Sequence, residues 1–575
     1  MVAAATGVLF LLSRGKWTDP IIDIGSEWLW PDALAKGDLL YRDVVYWFGP
    51  FTPYFHAAFF LLFGSSFATL ALAGAAASLL TLAALYASLR LVTARAEALL
   101  WTALAIPLLV FMRFAGGGLL GMGYRMWHAA AFTLAAFSVA FAHRKRRWHP
   151  WVAGALIGMG ALCRVDWGLF GFVAMVSGLA RRGPSSRATL RAGFAAGAAG
   201  AAVFCGAMAP FLIAAGPSAF MTESFVFLVG LPAESRRSGL AWMGLDRWPW
   251  GVWSWVYSAA VWISGYWVVE IVALRRSDPR AGARRLRPLL GAFGVLACGA
   301  WLGLRSGSLL LGWVPLVCGA SVVVGIRRGQ RGAALVAFGL VGLLGSVRRI
   351  FDLGDFGYVA PPLLFALVCA AGLIRASVHG RRRPEARRSL ECGLRLALGA
   401  VLAGVFLMRG LQYSVDRRVA IPGTRGFLTA SPARAKELDA LARAIRARTP
   451  TGSTLVVFPD AAMLNFLADR RNPLRNKLYV AGYLRSQNED QILSELARQA
   501  PAAVVVLDRP DGQEPTRVFG ADYGRKVREW IEERYDLRPV SGAAADPTGF
   551  PALLGFPRSP PPMKSNPQSP GPGSL

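Results

Sequence analysis

Charge is scarce in this 575-residue chain: Asp, Glu, Lys and Arg make up 17% of it against 54% apolar residues, and the mean hydropathy is +0.41. A soluble globular protein carries about 25% charged residues, so this poverty excludes a water-soluble enzyme. Acids are scarcer still, 34 against 63 bases, which leaves a formal charge of +29. The bases fall in short clusters between apolar runs rather than along one polar face, a pattern that opposes nucleic-acid binding. Cysteine is almost missing, with six in all. Cys163, Cys205, Cys298, Cys318 and Cys369 lie in or at the ends of apolar runs and Cys392 lies in a basic loop, none with CxxC or Cys/His metal spacing. The polar segments 14–50 and 411–575 contain no cysteine, so neither a disulfide framework nor a thiolate zinc site is available there. His56, His128, His143, His149 and His379 offer no metal-ligand pair. No Walker A segment is present, which argues against an ATP-driven pump. Gly116 to Gly118 neither follow a strand nor open a Rossmann unit, so they make no nucleotide fingerprint.

What is abundant is apolar runs. Crossing a hydrocarbon core of roughly 30 Å takes about 20 helical residues, and twelve runs of about that kind, several of them short, fall between residues 66 and 410. An eleven-residue apolar stretch, Val2 to Leu12, opens the chain with Arg14 close behind. It matches a secretory signal poorly and reads as part of a first transmembrane helix, which makes thirteen spans.

With thirteen spans the loops alternate in charge. Those at 90–95, 143–149, 181–191, 275–287, 327–331 and 375–395 hold 26 Lys or Arg against Asp278, Glu385 and Glu391. The segment 14–50 holds four bases and six acids. The positive-inside rule places the first set in the cytoplasm, so 14–50 and everything after 410 face outward. The expected architecture is mainly α: a polytopic transmembrane helical bundle over 1–410 with an extracytoplasmic α/β domain over 411–555. In that domain Leu455 to Phe458 and Val504 to Leu507 read as buried strands, and 433–448, 488–498 and 522–534 as helices. Residues 556–575, rich in Pro, Ser and Gly, read as a disordered tail.

The first outward loop, 14–64 with its flanking juxtamembrane helices, is the place to look for chemistry, because it is long and acidic where other outer loops are mostly short. Asp23 and Glu27 stand four apart and share a face if the segment is helical. Asp43 follows a second short amphipathic stretch, and Gly49-Pro50 and Pro53 set the entry into the next helix. A carboxylate at the membrane boundary suits a general base acting on a hydroxyl, and the same acids suit solvated charges or ion pairs with Lys36 and Arg42.

Three stretches of this region carry a resemblance: Asp23, Gly25 and Glu27; Ala33, Gly37 and Tyr41 to Asp43; then Gly49, Pro50, Pro53, Tyr54 and Leu62 to Gly64. The pattern resembles the GT-C superfamily of polytopic membrane glycosyltransferases, and most closely the bacterial branch related to protein O-mannosyltransferases and the lipid A aminoarabinose transferase. Leu455 to Pro473 is similar to the domain that follows the membrane part in some bacterial members. The resemblance implies a polyprenyl-phosphate sugar donor and thirteen helices with an outer C-terminal domain. It puts the catalytic acid on Asp23, with Glu27 and Asp43 as further loop acids and Asp19 as the nearest competitor. Many members also carry an acid in the second outward loop, often as a metal ligand. Here that loop, Arg113 to Arg125, has none, which favours a metal-independent reaction; no cofactor is expected.

A departing lipid phosphate needs cations at membrane depth. Arg125 begins one span, and Arg164 with Asp166 interrupts two apolar runs at the outer surface. Arg348, Arg349, Arg236 and Arg237 are weaker candidates, and Tyr41, Arg42 and Tyr54 are candidates for positioning the acceptor or the loop. The expected function is inverting transfer of a sugar from a polyprenyl-phosphate carrier to a lipid, glycan or protein acceptor on the outer face of the bacterial cytoplasmic membrane. A transporter or flippase would place charges near the bilayer midplane in repeated halves, whereas these sit mostly at helix ends and no repeat is evident. A non-catalytic envelope scaffold would leave the acidic loop unexplained.

Overall fold

The computed structural model describes residues 1–21, 24–112, 118–122, 124–142, 146–182, 185–221, 308–346, 356–379, 384–479, 486–507, 518–540 and 552–558. The expected spans at 251–274 and 289–305, and Asp23, Arg236, Arg237, Arg348 and Arg349, lie outside these residues. The chain is mainly helical and divides into two compact units, Met1–Ala435 and Lys436–Leu575.

Among the described residues of the first unit the apolar runs are helices. They are α1 (Val2–Ser13), α2 (Ile24–Ala35), α3 (Phe51–Phe63), α4 (Phe67–Val92), α5 (Arg95–Ala105), α6 (Arg125–Ala140), α7 (His149–Cys163), α8 (Val165–Arg182) and α9 (Ser186–Ala215). After the undescribed stretch come α10 (Ser308–Arg327), α11 (Ala333–Ser346), α12 (Phe356–His379) and α13 (Pro384–Ser414). Among the described residues, four helical stretches are long and apolar enough to cross a membrane: α4, α9, Pro361–His379 of α12 and Leu390–Ser414 of α13.

Local rules set the ends of these helices. The Ser66 hydroxyl accepts from the Thr69 amide at the start of α4, and Ser185 accepts from Ala188 at the start of α9. Arg182 donates to the carbonyls of Ala140 and Ala142, satisfying the C-terminal end of α6. With no hydrophobic drive between helices in lipid, close approach of small residues holds them together. On α7, Gly154 faces Ala196 of α9 and Gly158 faces Gly200, so that a Cβ on Gly158 would lie 2.6 Å from the Gly200 carbonyl oxygen. The core forms around α6, where Trp127 and Phe137 are buried with Trp167, Phe338 and Phe365.

After α13 the chain turns back on the loop that opens the unit. Lys16 donates from Nζ to the carbonyls of Tyr413 and Asp416, and the Thr429 amide donates to the Gly15 carbonyl. Arg434, at the start of helix α14 (Pro432–Arg448), pairs with Asp19 at 3.3 Å.

The second unit holds a four-stranded sheet of β1 (Leu455–Phe458), β2 (Ala503–Leu507), β3 (Tyr535–Pro539) and β4 (Ala552–Pro557), in the order β1-β2-β4-β3. β1 and β2 run parallel with Leu455 opposite Ala503, and the other pairings are antiparallel. Helices α15 (Ser486–Gln499) and α16 (Arg525–Arg534) supply Leu496, Val527 and Ile531 to a core with Val456, Phe458, Val504 and Val506. β4 runs through Phe556 and Pro557, two residues into the segment expected as disordered tail, because both residues pair with β3.

Candidate functional site

The sequence sets the site by interrupting apolar helices with charge. α2 places Glu27 in its first turn, and neighbours Trp28, Leu29 and Trp30 are buried, so the carboxylate is drawn inward with them. Arg125 is the first residue of α6, and its Nη1 donates to Glu27 Oε1 at 3.0 Å; the two side chains are 6% and 10% exposed. Burial of either charge alone would cost several kcal/mol, about 3–5 when one partner is removed, so the pair holds only as a pair. Arg164 links α7 to α8 and donates twice to Asp166, at 2.9 and 2.6 Å. This planar two-point geometry fixes the guanidinium more firmly than a single contact.

Phe48 brings the two arginines together. The guanidinium carbon of Arg125 lies 3.4 Å from the Phe48 ring centre and that of Arg164 lies 5.5 Å from it. The half-buried ring is held by Tyr46, edge-on at 5.8 Å, which in turn meets Trp30 at 5.1 Å. The Tyr41 hydroxyl donates to the Phe48 carbonyl at 2.5 Å. Gly49 allows the loop to touch α7: a Cβ there would run into the Leu162 carbonyl, two residues before Arg164. Burial raises the Tyr46 phenol well above its ordinary value, opposed by Arg125, so it stays a neutral hydroxyl at pH 7.

The remaining candidates gather at the loop tip. Asp43 takes two roles, pairing with Arg42 at 2.6 Å and accepting from the Leu39 amide at 2.9 Å. The turn Leu39 to Val44 is closed by backbone pairing and carries Tyr41 at a positive φ of 66°, so Asp43 sits within a tight turn. Tyr54, on the first turn of α3, reaches the Leu40 backbone near Asp43 and Arg42. Tyr41 and Tyr54 both pack on Phe211 near the end of α9. Asp19 accepts from the Ile21 amide and pairs with Arg434.

Thus Arg125, paired with Glu27, and Arg164 come together on the Phe48 ring, the Tyr41 hydroxyl holds the Phe48 backbone carbonyl, and Arg42, Asp43 and Tyr54 form a neighbouring group. Sequence reasoning missed Phe48 and Tyr46, two aromatics among many. The available signal was their place directly before Gly49-Pro50. His56 and His128 are buried on α3 and α6, with His128 Nδ1 3.0 Å from the Thr52 hydroxyl. Among the described residues no group of three or more His, Cys, Asp or Glu is placed to hold a metal ion.

Residues 48–226, which include Phe48 and both arginines, match the family described as dolichyl-phosphate-mannose-protein mannosyltransferase. No curated protein matches the chain. Among solved structures, ArnT from Cupriavidus metallidurans in the apo state is similar with a TM-score of 0.52 at 14% identity, covering 96% of this chain and 96% of that one. The same protein bound to undecaprenyl phosphate gives a TM-score of 0.51 at 13% identity, again over 96% of each chain. At such identities the likeness is one of fold, and it extends over nearly the whole length.

Proposed function

We propose that this chain, a relative of the GT-C superfamily branch that includes the protein mannosyltransferases and ArnT, moves one sugar from a polyprenyl-phosphate carrier to an acceptor hydroxyl at the outer face of the cytoplasmic membrane. The observation that carries the reading is the pair of buried guanidiniums, Arg125 and Arg164, gathered on Phe48 beside the acidic first loop. Such cations, fixed before the reaction in a low-dielectric setting, are what a developing phosphate charge requires. The fold shared with ArnT, which has been seen with undecaprenyl phosphate, is in keeping with a carrier of this kind. Thirteen spans, with loop 14–50 and the second unit outside, would put the site on the side where polyprenyl carriers present their sugars.

In the proposed step the acceptor oxygen forms a bond to the anomeric carbon while the bond from that carbon to the phosphate oxygen breaks. The bonding pair leaves with polyprenyl phosphate, and Asp23 takes the acceptor proton. Inversion follows from one direct displacement. Arg125 and Arg164 take up the added charge on the phosphate, and Glu27 holds Arg125 in place. Asp43, with Arg42 and Tyr54, positions the acceptor.

The test uses membranes containing the protein and a panel of radiolabelled polyprenyl-phosphate sugars, with a cell extract as acceptor source. Loss of label from one carrier by the native chain and not by a folded Asp23→Asn variant is the expected result. If neither form consumes any carrier sugar, the reading fails and a transporter or scaffold takes its place. Full turnover by Asp23→Asn would move the base to Asp19, Glu27 or Asp43.

A further inference from the structure

We infer that Phe48 is a positioning residue for the donor phosphate: its ring fixes the spacing of two like-charged guanidiniums so that both meet one phosphate. The inference rests on the donor reading given above and deepens it. Two arginines brought close in a low-dielectric site repel each other, and each is steadied by a carboxylate of its own, Glu27 for Arg125 and Asp166 for Arg164, neither of which touches both. An aromatic ring presents negative density on its faces and attracts both cations. With Arg125 at 3.4 Å and Arg164 at 5.5 Å, the ring supplies a common anchor that neither carboxylate provides.

Phe48 is itself held by three contacts, one to its ring and two to its backbone and loop. Tyr41 fixes the Phe48 carbonyl, Tyr46 meets the ring edge-on, and Gly49 lets the loop sit against Leu162. This is the preorganisation that a phosphate-stabilising site needs, because cations that must first gather lose much of their effect. An aliphatic side chain of similar size would fill the space without attracting the arginines. The loss should therefore be confined to ligands that carry the phosphate.

The test uses the purified full chain in nanodiscs and two probes, a polyprenyl phosphate and the matching polyprenol. For Phe48→Leu the expected result is about tenfold weaker binding of the phosphate with unchanged binding of the alcohol, the magnitude following from two cation–π contacts. Phe48→Tyr keeps the ring face and should stay within about threefold of native. Tyr41→Phe, which releases the Phe48 carbonyl and keeps the ring that packs on Phe211 and Phe220, should weaken phosphate binding by about threefold and covers the case in which Phe48→Leu fails to fold. Where turnover is measured, kcat should fall more than KM rises, since charge grows on the phosphate as it leaves. A native chain that binds phosphate while Phe48→Leu binds it equally well, or loses the alcohol in parallel, overturns the inference alone. If Phe48→Leu cannot be folded, unchanged phosphate binding by Tyr41→Phe overturns it as well. A native chain that binds neither the phosphate nor any carrier sugar overturns the donor reading and the inference with it.

Discussion

Arg125 and Glu27, separated by 98 residues in sequence, meet through a 3.0 Å hydrogen bond with both side chains nearly excluded from solvent. The contact fastens the first turn of α2 to the first turn of α6. It turns a loop acid into a support for a cation.

A double-mutant cycle measures that support. Glu27→Gln or Arg125→Gln alone leaves a buried charge without its partner and should cost about 3–5 kcal/mol. The double variant should cost clearly less than the sum of the two. Thermal unfolding of the solubilised protein checks this, and additive losses would mean that the two charges do not interact.

Asp43 and Asp23 should separate in kinetics. Asp43→Asn disturbs a loop-tip pair with Arg42 and a turn hydrogen bond, so the KM for acceptor should rise several-fold while kcat stays within about threefold. Asp23→Asn should lower kcat by about 100-fold or more. Steady-state rates with the carrier identified in the panel assay decide the matter, and an equal fall in kcat for both would merge their roles.

Packing between α7 and α9 gives a prediction independent of catalysis. Gly158→Ala puts a methyl 2.6 Å from the Gly200 carbonyl oxygen and should destabilise by about 1–3 kcal/mol. Gly206→Ala, on α9 with open space around it, should be neutral or slightly stabilising. Melting of the two variants side by side tests the helix contact, which is absent if they behave alike.

In the second unit, burial pushes the Tyr535 phenol up to about 12 while its hydroxyl donates to the Pro501 carbonyl at 2.8 Å. A raised folded-state value means that the neutral form is the one that stabilises. Its contribution is complete below about pH 10 and is lost as pH rises towards 12. A tyrosinate absorbance titration should lose one of its late-titrating phenols, the one near pH 12, in Tyr535→Phe, and the variant's stability should fall less than the native chain's between those values.

The helices were legible because apolar runs have one stable solution in lipid, and Arg125 and Arg164 were legible because each breaks such a run. Leu455 to Phe458 and Val504 to Leu507 announced themselves as short apolar blocks, and the structure has strands there. β3, with the sequence Tyr-Asp-Leu-Arg-Pro, is a charged edge strand whose pattern carries no such block, and nothing in the sequence marked it. Partnership was the part that could not be read. Glu27 looks like any loop acid until α6 delivers Arg125 to it, and Phe48 looks like any interfacial aromatic until two separate helices place cations on its ring.

The ties from Lys16 to Tyr413 and Asp416 set an order of events during synthesis. The separation between Lys16 and Asp416 is 400 residues, and at about 5–20 residues per second a ribosome takes roughly 20–80 s to cover it. For that interval the start of the acidic loop, around Lys16, is made but lacks these ties, and its anchor is among the last parts of the membrane unit to emerge. A chain stopped before Tyr413 should therefore leave Lys16 open to protease, whereas one carried past Thr429 should protect it. Completion of the first loop thus reports that the helices between have all been made.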